Sequence, residues 1–472
     1  MDLACFLKPV SVAVIGATER PGSWGSFIMG GLLSWGYKGR IYPVNPKGGT
    51  VFGFQAYPNV REIPAPVELA ILTIPEEHVE AAIRDCGEKR VKGVTIITAG
   101  YAEAEADGRS REAALKKLAH AHGMRLLGPN VSGTMNLHIG FNAAASPARH
   151  LCPTPLAAVC QGGYAFYDIL ALGFPRGMGV GQFIHTGNEC DLTVTDFLEH
   201  FGNDPDVKAV LMYLETIRDG RRFIEVASRV SGKKPVIVYK AGKTEGGARA
   251  AASHTGALAG RKALFEGVLA QAGLIIAPSM EMLLPLGHAL IEQPPMQGKR
   301  VGIATMGGSW GVVLSDAVEE VGLCVPELSA TLQASLRGLG MPTRASTRNP
   351  VDIGASGLYL DVAAMIAIGE TMLASGELDA LVLHGLGRPG MVGPDTTDGA
   401  RIYMEIEKQV ILGYHQLEQT YGRPVVIGNP FSVWESQVVA DLNQSGIRTL
   451  SRIGDIAQLL WILSQVGTRE VL

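Results

Sequence analysis

Short runs of apolar, β-branched residues alternate along the chain with longer stretches in which apolar positions recur at helical spacing. In the first third, the runs at 11–15, 39–44, 69–74, 93–97 and 124–127 read as strands, and 26–34, 76–86 and 110–121 read as helices. This alternation predicts a parallel sheet with helices on both faces, whose ligand crevice lies at the carboxyl ends of the strands. After an irregular connection broken by Pro147, Pro153 and Pro155, a second alternation begins with strand 156–160 and helix 164–171, continuing through strands at 207–214 and 235–239. Pro294-Pro295 and the polar residues 297–300 read as a linker. A third alternation follows, with strand 301–305, helix 310–321 and strands 380–384 and 424–427. The expected fold class is α/β in three domains: a Rossmann-like domain over 1–130, then two flavodoxin-like parallel-sheet domains over 131–295 and 296–472.

Composition agrees with many strand-to-helix turns, since 59 glycines in 472 residues is well above the ~7% of ordinary chains. The six cysteines are scattered, with no CxxC pair and no clustered histidines, so neither a disulfide framework nor a metal site is expected. A reducing, cytoplasmic setting fits this cysteine usage, and residues 1–8 lack the pattern of a signal peptide. No apolar run reaches membrane-helix length, and a net charge of −4 with interspersed signs gives no basic footprint for nucleic acid. Membrane and nucleic-acid partners are therefore not expected, and the ligands should be small.

Unusual residues collect at strand ends. The first turn, running from Gly16 through Thr18, Glu19, Arg20 and Pro21 to Gly22, is longer than GxGxxG and contains a proline. The second strand ends in Asn45-Pro46-Lys47 where an NAD site would carry an acid, which favours a ligand with extra phosphate near its ribose: coenzyme A or NADP. The loops Ile97-Thr98-Ala99-Gly100 and Gly128-Pro129-Asn130 add small residues that let a ligand approach the backbone. Strand 156–160 runs into Gln161-Gly162-Gly163 and a helix start, which makes an anion site. Strand 301–305 repeats the arrangement with Gly307-Gly308-Ser309. Near the middle, Ser253-His254-Thr255-Gly256 sets an imidazole among small neighbours that permit backbone N–H groups to reach a phosphate. A neutral imidazole is nucleophilic near pH 7 and leaves readily once reprotonated, so His254 suits phosphoryl transfer. Glu215, at a strand end, could accept a hydrogen bond from that ring and fix its tautomer.

Together, Gly16-Ala-Thr18 with Pro21-Gly22, Asn45-Pro-Lys47-Gly-Gly49, Gly128-Pro-Asn130, Gly187-Asn188-Glu189, Asp204-Pro-Asp206 with Tyr213-Leu-Glu215, Ser253-His-Thr-Gly256 and Asn349-Pro-Val-Asp352 resemble the NDP-forming acyl-CoA synthetases. That superfamily includes succinyl-CoA synthetase and the ADP-forming acetyl-CoA synthetases, and the resemblance runs along essentially the whole chain. It implies an acid–thiol ligase working through an acyl phosphate and a phosphohistidine, with His254 phosphorylated and Glu215 orienting it. It also implies CoA contacts at Thr18, Glu19, Arg20, Pro21, Lys47, Ile97, Thr98 and Ala99, beside Gly16, Gly22 and Asn130, and an acyl site lined by Tyr167. Phosphate would meet Gly162 and Gly163 from one side and Gly307, Gly308 and Ser309 from the other. Many members have Ser-Gly where this chain has Gly162-Gly163, so acyl preference does not carry over. The sequence leaves no stretch for an ATP-grasp fold, so ADP/ATP or GDP/GTP and Mg2+ are expected on a separate ATP-grasp β subunit, paired as αβ or α2β2. A small carboxylic acid and phosphate complete the ligands. Two other readings stay open on the residues: a non-catalytic CoA-binding scaffold of the same fold, and an NADP-dependent oxidoreductase. The loop 385–399, with Arg388 and Asp395, is expected to shape the acyl pocket, and His384 to be structural.

Overall fold

A computed structural model describes residues 3–104, 107–146, 151–247, 249–250, 262–389 and 397–467. The chain forms two compact units, Met1–Ala171 with Gly179–Gly287, and Leu172–Met178 with His288–Leu472. The first unit carries two large sheets and the second unit carries one, each an α/β layer with a fully buried strand core.

In the first sheet the strands are β1 (Ser11–Ile15), β2 (Arg40–Val44), β5 (Leu69–Leu72), β6 (Gly93–Ile96) and β7 (Arg125–Leu127), with a small hairpin of β3 (Thr50–Val51) and β4 (Phe54–Gln55) outside it. They lie all parallel in the order β2-β1-β5-β6-β7. Chain direction across this sheet reverses between β1 and β5, the place where open α/β sheets leave a ligand crevice.

The second sheet has seven strands in the order β14-β13-β12-β10-β11-β8-β9. Five of these are parallel: β10 (Leu156–Cys160), β11 (Gln182–His185), β12 (Ala209–Leu214), β13 (Val236–Lys240) and β14 (Ile275–Ile276). The expectation of a purely parallel sheet with an irregular lead-in is corrected here. Residues 131–146 form two antiparallel strands, β8 (Gly133–Asn136) and β9 (Phe141–Ala144), on the edge beside β11. Their mixed Thr, Asn and Gly content hides them from a period-two reading, and they become strands by pairing with β11 and packing Phe141 and Ala143 into the core. β11 itself also escapes the sequence pattern because Gln182 and His185 interrupt its apolar run, yet all four of its residues are buried.

The third sheet, β16-β15-β17-β18, consists of β15 (Val301–Thr305), β16 (Val351–Asp352), β17 (Ala380–His384) and β18 (Val425–Gly428), all parallel. Counting only parallel strands in chain order, all three sheets share the winding 2-1-3-4, so each has its reversal beside its first strand. A 24-residue helix, Asp398–Tyr421, packs on the third sheet through Val410, Ile411, Tyr414 and Leu417. Loop residue Arg388 is held on the third sheet. Its guanidinium bonds the buried Glu407 carboxylate at 2.8 Å, and Glu407 also accepts the Gly387 and Arg388 N–H groups. Asp395 lies outside the described residues. His384 is buried against Trp310, with ring centroids 4.7 Å apart, and burial pushes its imidazole down to about 4, so it is neutral at pH 7.

Within the first unit, Asp191 ties the two sheets together. Its buried carboxylate accepts from Arg125 Nε at 2.8 Å, Arg125 Nη2 at 2.9 Å and the Leu126 N–H at 3.0 Å, and His120 Nε2 lies 2.9 Å away. Desolvation by burial acts to raise its pKa, but the Arg125 and Leu126 hydrogen bonds outweigh it, and the carboxyl sits below the usual range. A depressed folded pKa adds stability that is present above the unfolded pKa and fades as pH falls through the folded one. Replacing Asp191→Asn is expected to cost about 2–3 kcal/mol at pH 7, reduced from the fully buried case because Arg125 keeps some solvent. In urea denaturation the gap between wild type and variant should shrink as pH drops below ~4.

Candidate functional site

The strand ends of the first two sheets open onto one cleft of about 730 Å3. From the first sheet come Thr73 and Ile74 after β5, Ile97, Thr98 and Ala99 after β6, and Asn130 after β7; from the second come Gln161, Gly162 and Gly163 after β10, Glu215 after β12, and Ala241 and Gly242 after β13.

On the first-sheet side the turn after β1 is tight. Gly16 has φ +95°, and a Cβ there would stand 2.7 Å from Thr73 Oγ1; a Cβ on Gly25 would stand 2.2 Å from the Gly16 carbonyl oxygen. Glycine is therefore required where the helix Trp24–Ser34 folds back on β1, and Ser23 caps that helix by accepting the Ser26 N–H. Thr18 Oγ1 accepts from the Arg20 N–H, and Asn45 bridges the turns by donating to the Ala17 carbonyl while accepting the Lys47 N–H. Glu19, Arg20, Pro21, Gly22 and Lys47 are exposed on these turns and stand outside the cleft wall, as do Gly16 and Thr18.

On the second-sheet side, the buried Gln161 holds the reversal point. Its Oε1 accepts the N–H groups of Glu215 at 2.7 Å and Thr216 at 2.9 Å, and its Nε2 donates to the Thr216 carbonyl at 3.0 Å. Lys240 Nζ donates to the Glu215 carbonyl at 2.8 Å, and burial pulls its ammonium pKa down, opposed by the Glu215 charge. The Tyr213 hydroxyl bonds the Glu215 side chain; burial first, then the Glu215 charge, pushes that phenol up. Helix Gly163–Gly173 begins at the cleft, and the first N–H groups of a helix have no intrahelical acceptor.

Behind this helix start is a buried polar chain that sequence reading missed. His185 Nδ1 accepts from the Ser132 N–H at 2.7 Å and lies 2.9 Å from Ser132 Oγ, while His185 Nε2 is 2.9 Å from the Gln161 carbonyl. With a backbone donor on one nitrogen and a carbonyl on the other, the ring carries its proton on Nε2. Tyr167 belongs to this chain. It is 4% exposed, its hydroxyl donates to Ser132, and it is absent from the cleft wall. The residue expected to line an acyl site thus supports the wall from behind, and Tyr164, 64% exposed, lines the cleft instead. Asn188 joins further loops by donating to Glu112 at 2.8 Å and to Glu103, and it accepts from Asn130. Beside it, burial pushes the Glu189 carboxyl up to about 7 against hydrogen bonds from Val194, Gln161 and Thr186.

The segment leading to His254 also reaches the cleft, where Gly247 and Ala250 form part of the wall and Thr244 Oγ1 accepts the Gly247 N–H. His254 itself lies outside the described residues, four positions after Ala250. In the second unit, Gly307, Gly308 and Ser309 open the helix Gly308–Glu320, with the last two exposed and the Asp352 carboxylate next to Gly308.

Residues 10–136 match a CoA binding domain and residues 153–290 match a succinyl-CoA ligase like flavodoxin domain. The α subunit of acetate–CoA ligase [ADP-forming] II from Pyrococcus furiosus is 35% identical over 98% of this chain and 97% of its own. The chain belongs to the α-type subunits of the ADP-forming acyl-CoA synthetases. A synthetase chain of this family from Methanocaldococcus jannaschii, the acetate–CoA ligase [ADP-forming], is 35% identical over 75% of this chain, which covers 49% of it. A dinucleotide-forming acetyl-coenzyme A synthetase 1 of Candidatus Korarchaeum cryptofilum, solved in complex with phosphate and ADP, superposes with a TM-score of 0.83 at 31% identity, over 99% of this chain and 98% of that one.

At the helix start this chain has Gly162-Gly163, and the packing leaves little room for a side chain at either position. A Cβ on Gly162 would come within 2.7 Å of the Tyr213 ring, and one on Gly163 within 2.0 Å of Ser132 Oγ. The Tyr213 ring occupies the space of the missing side chain. Gly162→Ser is therefore expected to destabilise the first unit by about 1–3 kcal/mol, the range for overpacking. Thermal unfolding of Gly162→Ser combined with Tyr213→Ala should recover part of that loss, giving a coupling of at least ~0.5 kcal/mol.

Proposed function

We propose that this α-type subunit interconverts acyl-CoA, phosphate and NDP with a carboxylic acid, CoA and NTP, using His254 as the phosphoryl carrier. The observation that carries this reading is the single cleft onto which the CoA-domain loops, the Gly162–Gly163 helix start, Glu215 and the segment approaching His254 all open. CoA is assigned to residues 1–130, with the exposed turn of Thr18, Glu19, Arg20 and Pro21 and the side chain of Lys47 on its nucleotide end. Ile97, Thr98, Ala99 and Asn130 would line the path of its thiol arm into the cleft. Residues 131–295 act as the phosphohistidine domain and 296–472 as the carboxyl-terminal ligase domain.

In the acyl-CoA-consuming direction, a phosphate oxygen attacks the thioester carbonyl, the C–S bond breaks and CoA leaves as the thiol. The helix N–H groups at Gly162 and Gly163 hold the acyl phosphate anion. A His254 ring nitrogen then attacks phosphorus, the P–O bond to the acyl group breaks and the carboxylate departs. Glu215, held by Gln161 and Tyr213, accepts the other ring N–H so that the attacking nitrogen is unprotonated. An oxygen of the diphosphate finally takes the phosphoryl group and restores the imidazole. Gly307, Gly308 and Ser309 form a second anion site for the phosphorylated states.

The nucleotide and Mg2+ are assigned to an ATP-grasp β subunit, as the α-subunit naming of the Pyrococcus furiosus relative and the greater length of the Methanocaldococcus jannaschii one suggest. Among the described residues no helix is long and apolar enough to cross a membrane, and a cytoplasmic site of action is proposed.

Labelled ATP with a cognate β subunit is expected to place acid-labile, base-stable phosphate on the wild-type chain and none on His254→Asn. Glu215→Gln should slow labelling by about 100-fold or more, the usual loss when an orienting or proton-handling partner is removed. Label persisting on His254→Asn would refute the relay, and robust ADP formation by the purified chain alone would refute the separate nucleotide subunit.

A further inference from the structure

Lys240 closes strand β13 and is 4% exposed. Its Nζ donates to the Glu215 carbonyl at 2.8 Å and to the Ala241 carbonyl, and it stands over the Phe265 ring, 4.9 Å from the centroid. Among the described residues no carboxylate forms an ion pair with it. Burial lowers its pKa most, the Glu215 charge opposes that, and the Lys243 ammonium adds a smaller push in the same direction as burial. Both acceptor residues, Glu215 and Ala241, line the cleft, so the ammonium lies one residue behind the surface that a ligand meets. The described wall carries no Lys or Arg and does carry the Glu215 carboxylate. A neutral donor could tie the same two carbonyls, whereas a buried ammonium without a carboxylate is costly to keep. An anion in the cleft would complete such a site.

We propose that the Lys240 ammonium is the fixed counter-charge of the phosphoryl group in this cleft, acting through the wall and not by contact. This rests on the reading that the cleft carries phosphate between the acyl group and His254. A phosphate beside Gly162 and Gly163 meets backbone dipoles at the helix start. With the Glu215 carboxylate on the same wall it also needs a full positive charge, and Lys240 supplies one that is already in place before the ligand enters. Low exposure limits the screening of that charge by water. Lys240 is thereby a positioning residue as well: its two hydrogen bonds hold the exits of β12 and β13, from which Glu215 and the segment toward His254 depart.

The test titrates the purified chain, as wild type, Lys240→Met and Lys240→Gln, with inorganic phosphate and separately with CoA, reading affinity from the rise in unfolding temperature. Methionine removes the charge and the hydrogen bonds, whereas glutamine keeps an amide that can donate to the carbonyls. Both variants are expected to bind phosphate about 10-fold more weakly, the effect of one unit charge on another across roughly 10 Å at an effective dielectric constant near 20. CoA, assigned to residues 1–130, should bind all three proteins alike. Each shift is measured within one preparation, so a change in a variant's own stability does not mask it. Phosphate affinity that survives in Lys240→Met, or that returns in Lys240→Gln, overturns the proposal, because packing or hydrogen bonding would then suffice. Equal weakening of phosphate and CoA overturns it too, as a general disturbance. Labelling from ATP with a cognate β subunit separates the two levels: labelled wild-type His254 with unchanged phosphate affinity in both variants sinks only the counter-charge, whereas no label and no phosphate binding in the wild type sink the enzymatic reading beneath it.

Discussion

Three hydrogen bonds from one buried amide, that of Gln161, hold the place where β10 and β12 diverge. Where a parallel sheet reverses its winding, adjacent strand ends lose their pairing partners and their backbone groups must be satisfied some other way. The Gln161 side chain replaces the missing ladder, and in doing so keeps Glu215 beside the start of the helix at Gly163. A carboxylate and a cluster of backbone donors then line one small cleft.

Close packing sustains the same turn. Gly162 yields to the Tyr213 ring and Gly163 yields to Ser132 and His185, so neither position has room for a side chain. The polar chain from Tyr167 through Ser132 and His185 to the Gln161 carbonyl is hydrogen-bonded at each step, which makes it a rigid support for the turn. Support of this kind lets Tyr164 stay exposed on the cleft wall beside the half-buried Trp24. In the second unit a comparable function falls to Glu407, whose carboxylate gathers Arg388, Tyr359 and two backbone N–H groups, fastening a loop that its composition alone marks as irregular.

The repetition of one winding in three sheets explains why strand ends carry the chemistry throughout. Each first strand is followed by a glycine-bearing turn and a helix start: Gly16 after β1, Gly162-Gly163 after β10, Gly307-Gly308 after β15. A parallel strand feeding a helix on the sheet face needs a compact turn, and a compact turn with exposed N–H groups attracts anions. Fold and ligand preference thus have a common cause.

The sequence by itself determined the alternation of strands and helices, because β-branched runs such as Ser11–Ile15 and Val301–Thr305 bury every residue and are apolar except for Ser11 and Thr305 at their ends. It also determined the glycine turns, since φ and close approach at Gly16 restrict residue type directly, and the positions of Glu215, Gly162 and the Ile97–Ala99 loop at strand ends. Only the tertiary structure decided that Gly133–Asn136 and Phe141–Ala144 are strands and that β11 is central, because their backbone pairing, and the bonds of Gln182 to Asp204 and of His185 to Ser132 and Gln161, join residues distant in the chain. The difference in exposure between Tyr167 and Tyr164 was equally invisible, for two tyrosines three positions apart on one helix differ only in what the neighbouring sheet places against them: Phe183 and Ser132 for one, Trp24 and open cleft for the other. Local preference is written into each residue, whereas which face meets solvent is a property of the assembled sheets.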